Sequence, residues 1–182
     1  GGLLMESSVA ILALAAAVSL SPGIYFSMNT STATMNKLAG PETVAAAPCK
    51  TTDDPEHHCE KLAEVAVGNL GVTDAQGHKP TPEWDSWDDN GNPKTFTGAE
   101  ALERLASDVG EPNVVSRTGG APTLSVGIAH ILHQIGGGRA MMGFWYHFAI
   151  MFEALFILSA VDAVTRVARF QLSDALGNAF PK

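Results

Sequence analysis

The chain has 182 residues, 46% of them hydrophobic and 16% charged, with a formal net charge of −8. That length suits one domain, and the acidity argues against a nucleic-acid partner, because phosphate contact needs clustered Lys and Arg. The mean hydropathy of +0.10 hides a segregation: residues 30–98 hold five lysines against eleven carboxylates, while the apolar runs at 3–20 and 144–163 hold Glu6, Glu153 and Asp162 and no Lys or Arg.

No basic segment precedes the first apolar run, so a cleavable signal peptide is not expected, and the chain reads as a piece of a longer one. Residues 3–20, LLMESSVAILALAAAVSL, carry a single charge, Glu6, before Ser21-Pro22-Gly23. Eighteen residues at about 1.5 Å each reach roughly 27 Å, close to the ~30 Å of bilayer hydrocarbon. Residues 1–29 are therefore expected to be a transmembrane helix and its exit. Glu6, Ala10, Ala13 and Ala17 share one helical face, and alanines so spaced let a second helix approach closely. Glu6 either snorkels to the interface or joins a proton or cation relay.

Residues 30–98 read as a polar insert with a short helix. Asp54-Pro55 suits an N-cap and first helical residue. Cys59, Leu62, Ala63, Ala66 and Leu70 repeat at helical spacing towards Gly68 and Gly71. Residues 73–93, TDAQGHKPTPEWDSWDDNGNP, read as turn and loop, with Trp84 and Trp87 either a docking patch or aromatic anchors. Cys49, His57, His58 and Cys59 form a metal-like cluster, but zinc needs four ligands at short paired spacings. A local disulfide or free thiols are expected there instead of a metal.

Residues 99–116 are expected to be an amphipathic helix and connector. Thr97 and Glu100 have capping-box spacing, and Ala99, Leu102, Leu105, Ala106 and Val109 give an apolar face that Gly110 ends.

Residues 117–138 read as a broken or tilted membrane helix, opened by the motif SRTGGAPTLSVGIAHILHQ at 116–134. Pro122 suits a first helical turn, and Gly119 and Gly120 permit backbone angles that other residues resist. A helix starting there puts free N–H groups and a positive dipole end beside a guanidinium. Arg117, Thr118, Gly119, Gly120 and Thr123 are thus candidates to bind a substrate carboxylate, as broken helices do in secondary transporters. The same residues also fit a plain connector, with Arg117 among headgroups. His130 and His133 lie at i, i+3, and each is either a proton carrier or a hydrogen-bonded packing residue. If this segment crosses fully, the insert lies on the side of Arg166; if it re-enters, on the other.

Residues 139–182 hold the clearest span, 144–163, FWYHFAIMFEALFILSAVDA. Phe144-Trp145-Tyr146 suits one interface, and Arg166 and Arg169 suit the cytoplasmic one. Glu153 sits mid-span, where a carboxylate facing lipid is costly. It is a candidate for proton coupling, with His130, His147 and Glu6, or else a structural hydrogen-bond partner. Asp162, Arg166 and Arg169 fall at i, i+4 and i+7, as in a helix-end ion pair. No nucleophile elbow, phosphate loop or zinc-protease motif occurs, so neither an enzyme nor a cofactor is expected.

Three blocks, GGLLMESSVAILAL…SPGIYFSMN, VVSRTGGAPTLSVGIAHIL and FWYHFAIMFEALFILSAVDAVTRVARF, together resemble the carbon starvation protein A family of bacterial inner-membrane transporters. They cover about half of the chain in the family's order; residues 30–95 match poorly and look like an enlarged inter-helix connection. The resemblance implies a longer, multi-pass parent related to inverted-repeat transporters, taking up small carbon sources, with peptides or pyruvate as substrates. It also implies the bilayer and the parent's remaining helices as partners, and assigns no binding residues. The expected fold is all-α: two clear spans, a glycine-broken or re-entrant helix, and a polar, partly helical insert. A rival reading is a membrane-anchored nutrient-sensing or interaction module that uses the insert.

Overall fold

The computed structural model describes residues 2–42, 49, 58–73, 76–136 and 138–179. Helix α1 (Gly2–Val18) gives way to α2 (Pro22–Asn29), and the axes of Ser7–Val18 and Pro22–Asn29 differ by 101°. Pro22 lacks the N–H that would continue α1 and instead opens α2, while the Ser21 hydroxyl caps α2 by accepting from Ile24 N–H at 3.4 Å. The expected first span is therefore corrected. Among the described residues one helix alone is long and apolar enough to cross a membrane, and α1 qualifies only when counted with α2 across the bend.

A compact lobe follows. Helix α3 (Thr32–Ala39) packs on α4 (His58–Gly68), which in turn packs against α2 and against α5 (Gly98–Val109). On α4 the buried set is Cys59, Leu62, Ala63, Ala66 and Val67, with Leu70 beyond the helix end. Asp54, Pro55 and His57 lie outside the described residues. Cys49 and Cys59 form a disulfide, closing the thiol alternatives the sequence left open. On α5 the buried face is Ala101, Leu102, Leu105, Ala106 and Val109, one residue different from the expected set.

The expected loop over 73–93 is corrected too. Strands β1 (Glu83–Trp87) and β2 (Pro93–Thr97) form an antiparallel hairpin pairing Trp84 with Phe96 and Ser86 with Lys94. Trp84, Ser86 and Phe96 turn inward onto α5, so the fold class is helical with one hairpin rather than all-α. Asp88 holds the turn: its carboxylate accepts from the N–H groups of Asn92 (2.8 Å) and Asn90 (2.9 Å). The Asn92 N–H above all keeps Asp88 below the usual carboxylate pKa.

The capping box at α5 does not form. Thr97 makes no side-chain cap bond, and Glu100 pairs with Lys94 at 3.2 Å. Glu64 of α4 takes over, accepting the Ala99 N–H at 3.1 Å. A neighbouring helix thus satisfies an orphan donor that the local pattern assigned to Thr97.

Helix α6 (Ala121–Ile135) and a 3-10 turn (Arg139–Met141) lead into α7 (Met142–Ala179), 38 residues long. The first turns of α7 are buried against the lobe, with Met142, Tyr146 and Ala149 at most 3% exposed. Beyond Glu153 every described side chain through Leu176 is exposed. The spacing expected of α1 is shifted as well: Ala16 and Leu20 are buried while Ala10 and Ala17 are exposed. A Cβ on Gly127 of α6 would collide with the backbone of Ala16, so glycine there permits a close helix crossing.

Candidate functional site

The turn before α6 is built from backbone angles that L-residues avoid. Ser116 has φ 56°, Gly119 φ 125° and Gly120 φ 79°, and left-handed conformations cost a residue bearing Cβ about 1–2 kcal/mol. No atom lies within 4 Å of where a Cβ would stand on Gly119 or Gly120, so the conformation, not crowding, calls for glycine. The Ser116 N–H donates to Ser27 O of α2 at 2.9 Å. Gly120 then caps α6 without a side-chain bond.

Arg117 stands beside this helix start, held in place. Its Nη2 donates to Glu111 Oε2 at 2.6 Å and its Nε to Asn113 O at 2.9 Å. The guanidinium is 35% exposed and the Glu111 side chain 16%, so an incoming anion would exchange with Glu111. Thr118 is exposed. Thr123 is buried at 1% exposure, and its hydroxyl accepts from Asn29 Nδ2 at 2.9 Å. Of the five residues read as an anion site, Thr123 therefore binds α2 to α6, while the other four lie in the turn itself. Glu111, Asn113 and Asn29 were missed, since no periodic pattern joins them to Arg117 or Thr123.

The histidines belong to a different surface. His130 and His133 do share a face, with ring centroids 5.2 Å apart, and that face meets the hairpin: Trp84 lies 4.9 Å from His130 and Trp87 5.6 Å from His133. His130 lines a polar chamber of about 120 Å³ with Ser19, Ser21, Asp85 and Thr95, where its Nδ1 has no hydrogen-bond partner. The His133 Nδ1 meets Ala129 O at 3.2 Å, and the His147 Nδ1 meets Gly143 O at 2.7 Å. Trp84 is anchored, with its indole N–H donating to Asp108 Oδ2 at 3.0 Å. Asp108 also accepts from Ser86 Oγ at 2.5 Å and lies 3.7 Å from Arg104 Nε, forming a polar hub between hairpin and α5 that the sequence did not flag.

Glu153 faces the other side of α6. An apolar groove of about 500 Å³ runs between α1, α6 and α7, lined in part by Leu12, Leu124, Ile128, Leu132 and Phe152, with Glu153 among them. Its Oε2 is buried and has no hydrogen-bond partner. Among the described residues neither His130 nor His147, the histidines suggested to act with it, hydrogen-bonds to it. The side chain of Glu6 lies outside the described residues.

A long bare apolar helix, a bent helix pair and a buried carboxyl on an apolar groove are the features of a helical membrane protein. The family model for Carbon starvation protein CstA matches residues 85–182, and the chain belongs to that family. It is similar to the peptide transporter CstA of Escherichia coli (strain K12), with 43% identity over 181 residues, 100% of this chain and 20% of that relative. The pyruvate/proton symporter BtsT of the same organism is 42% identical over 181 residues, 100% of this chain and 22% of the relative. A peptide transporter CstA of Mycobacterium tuberculosis (strain ATCC 25618 / H37Rv) is 42% identical over 178 residues, 98% and 18%. The chain thus spans about a fifth of the length of these relatives, none of which is named as an enzyme. No solved structure matches. The pairing with the Escherichia coli peptide transporter runs through residues 30–95 as well, whereas the family model begins at residue 85.

Proposed function

We propose that the parent protein is a secondary active transporter of the bacterial inner membrane that takes up small carboxylate-bearing nutrients, peptides or pyruvate, during starvation, coupled to protons. The observation that carries this reading is Glu153 Oε2, a buried oxygen without a hydrogen-bond partner, on a half-buried side chain that lines an apolar groove between three helices. Such a group is costly to keep in an apolar setting unless it serves a relay or a pathway. The names of the relatives, two peptide transporters and a pyruvate/proton symporter, support a peptide or pyruvate substrate and proton coupling. Arg117 and the Gly119-Gly120 helix start would hold the substrate carboxylate, which displaces Glu111 from the guanidinium.

The test is uptake by the reconstituted parent under an imposed proton gradient, comparing pyruvate with dipeptides. Losing a charged hydrogen bond is worth about 1.5–3 kcal/mol, so Arg117→Ala should raise the half-saturating concentration roughly tenfold or more. Glu111→Gln, which frees the guanidinium, should lower it. If both variants bind as the wild type does, Arg117 is a connector residue and the anion site is wrong.

A further inference from the structure

We infer that the disulfide-closed lobe faces the oxidising, extracytoplasmic side of the membrane, and that α6 lies against its underside as a re-entrant element rather than crossing. This rests on the membrane reading above. Three observations carry it, and they are independent of one another.

The first is the disulfide between Cys49 and Cys59, inside the lobe. Such bonds persist in oxidising compartments and are rare where cytosolic thiol systems operate. Forming this one joins two sulfurs and removes two protons and two electrons, which pass by thiol–disulfide exchange to a disulfide-donating oxidant on the outer side. Both cysteines are buried, at 4% and 1% exposure, which shelters the finished bond.

The second is the direction of α7. Its first turns pack on the lobe: a Cβ on Gly143 would stand only 3.4 Å from Val109 O, and Tyr146 is completely buried. Arg166 and Arg169 lie more than twenty residues further along the same helix, roughly 35 Å away at about 1.5 Å per residue. That distance exceeds the ~30 Å hydrocarbon thickness, so lobe and arginines stand on opposite faces. Arginines near a span end favour the cytoplasm, which puts the lobe outside. The lobe's own lysines do not outvote them, because a connection longer than about 60 residues translocates largely regardless of charge.

The third is the seating of α6. Near its N-terminus Thr123 bonds Asn29 at 2.9 Å, and near its C-terminus the His133 ring meets Trp87 edge to face at 5.6 Å. Both ends therefore touch elements of the same lobe, which a helix crossing the bilayer cannot do. Fifteen residues rise only about 22 Å, short of the ~30 Å needed. Arg117 and the His130 chamber then stand on the side from which uptake begins.

The test uses the full-length parent with its other cysteines replaced by serine, in intact cells, and a membrane-impermeant maleimide. Two sulfurs should label only after an impermeant phosphine reductant, without permeabilisation. With the disulfide left intact, Lys79→Cys should label from outside and Ser173→Cys only after permeabilisation; both positions are exposed. Free Cys49 and Cys59 thiols that label only in permeabilised cells, or Ser173→Cys labelled from outside, would overturn the orientation. Loss of uptake with this labelling pattern intact would refute the transport reading alone, so the two failures are distinguishable.

Discussion

Leu102, Leu105 and Val109 on α5 are completely buried, whereas Leu155, Phe156 and Leu158 on α7 are more than half exposed. The residue types are alike and the settings opposite. Around α5, neighbouring helices and a hairpin cover the apolar face, and polar groups such as Trp84 Nε1 and Ser86 Oγ find Asp108. Along the outer half of α7 nothing among the described residues covers the side chains. Burying each large apolar residue gains about 1.5–3 kcal/mol, so a row of them left bare in water would be untenable. The lobe builds its own core, whereas α7 leaves its apolar side chains uncovered. The groove holding Glu153 lies between these two regimes.

This contrast is open to direct attack. Leu102→Ala should cost the lobe about 2–5 kcal/mol through lost burial and a cavity, read as a lower thermal midpoint of the solubilised parent. Leu155→Ala should cost less than about 0.5 kcal/mol in detergent. Equal losses would mean that α7 is packed against other protein along its outer half. Asp108→Ala should cost about 1–3 kcal/mol, because it orphans buried donors on the hairpin; an unchanged midpoint would remove the polar hub from the account. Arg166→Ala should cost no more than about 0.5 kcal/mol, since the 3.0 Å pair with Asp162 is exposed on both sides. A larger loss would place that pair in a protein interface.

The sequence made some of these features legible and concealed others for identifiable reasons. Helical periodicity placed α5 within a residue of its buried face, and the apolar run at 144–163 located the long bare part of α7. Ser21-Pro22 was visible as a break but was read as the end of a span, although proline at a helix start equally opens a new helix at a new angle. The hairpin was missed because glycine, proline and asparagine dominate residues 73–93. Its signals were present in the alternation of Glu83-Trp84-Asp85-Ser86-Trp87 and in Asn90-Gly91, a pair favoured in hairpin turns. The Thr97 and Glu100 capping pattern was overridden by Glu64, which is far away in sequence. Arg117 was found from its neighbours in the chain, but Glu111 was not, because a loop and no periodic element brings them together. Glu153 was legible from depth alone, as a charge in an apolar run; the groove it faces was not.

The central claim is that the Glu153 carboxyl couples proton movement to uptake, and one substitution isolates it. Glu153→Gln keeps the size and polarity of the side chain and removes its titratable proton. In the reconstituted parent, proton-driven uptake should be abolished while membrane insertion and protein level stay as in the wild type. Uptake at the wild-type rate with an unchanged pH dependence would contradict the account.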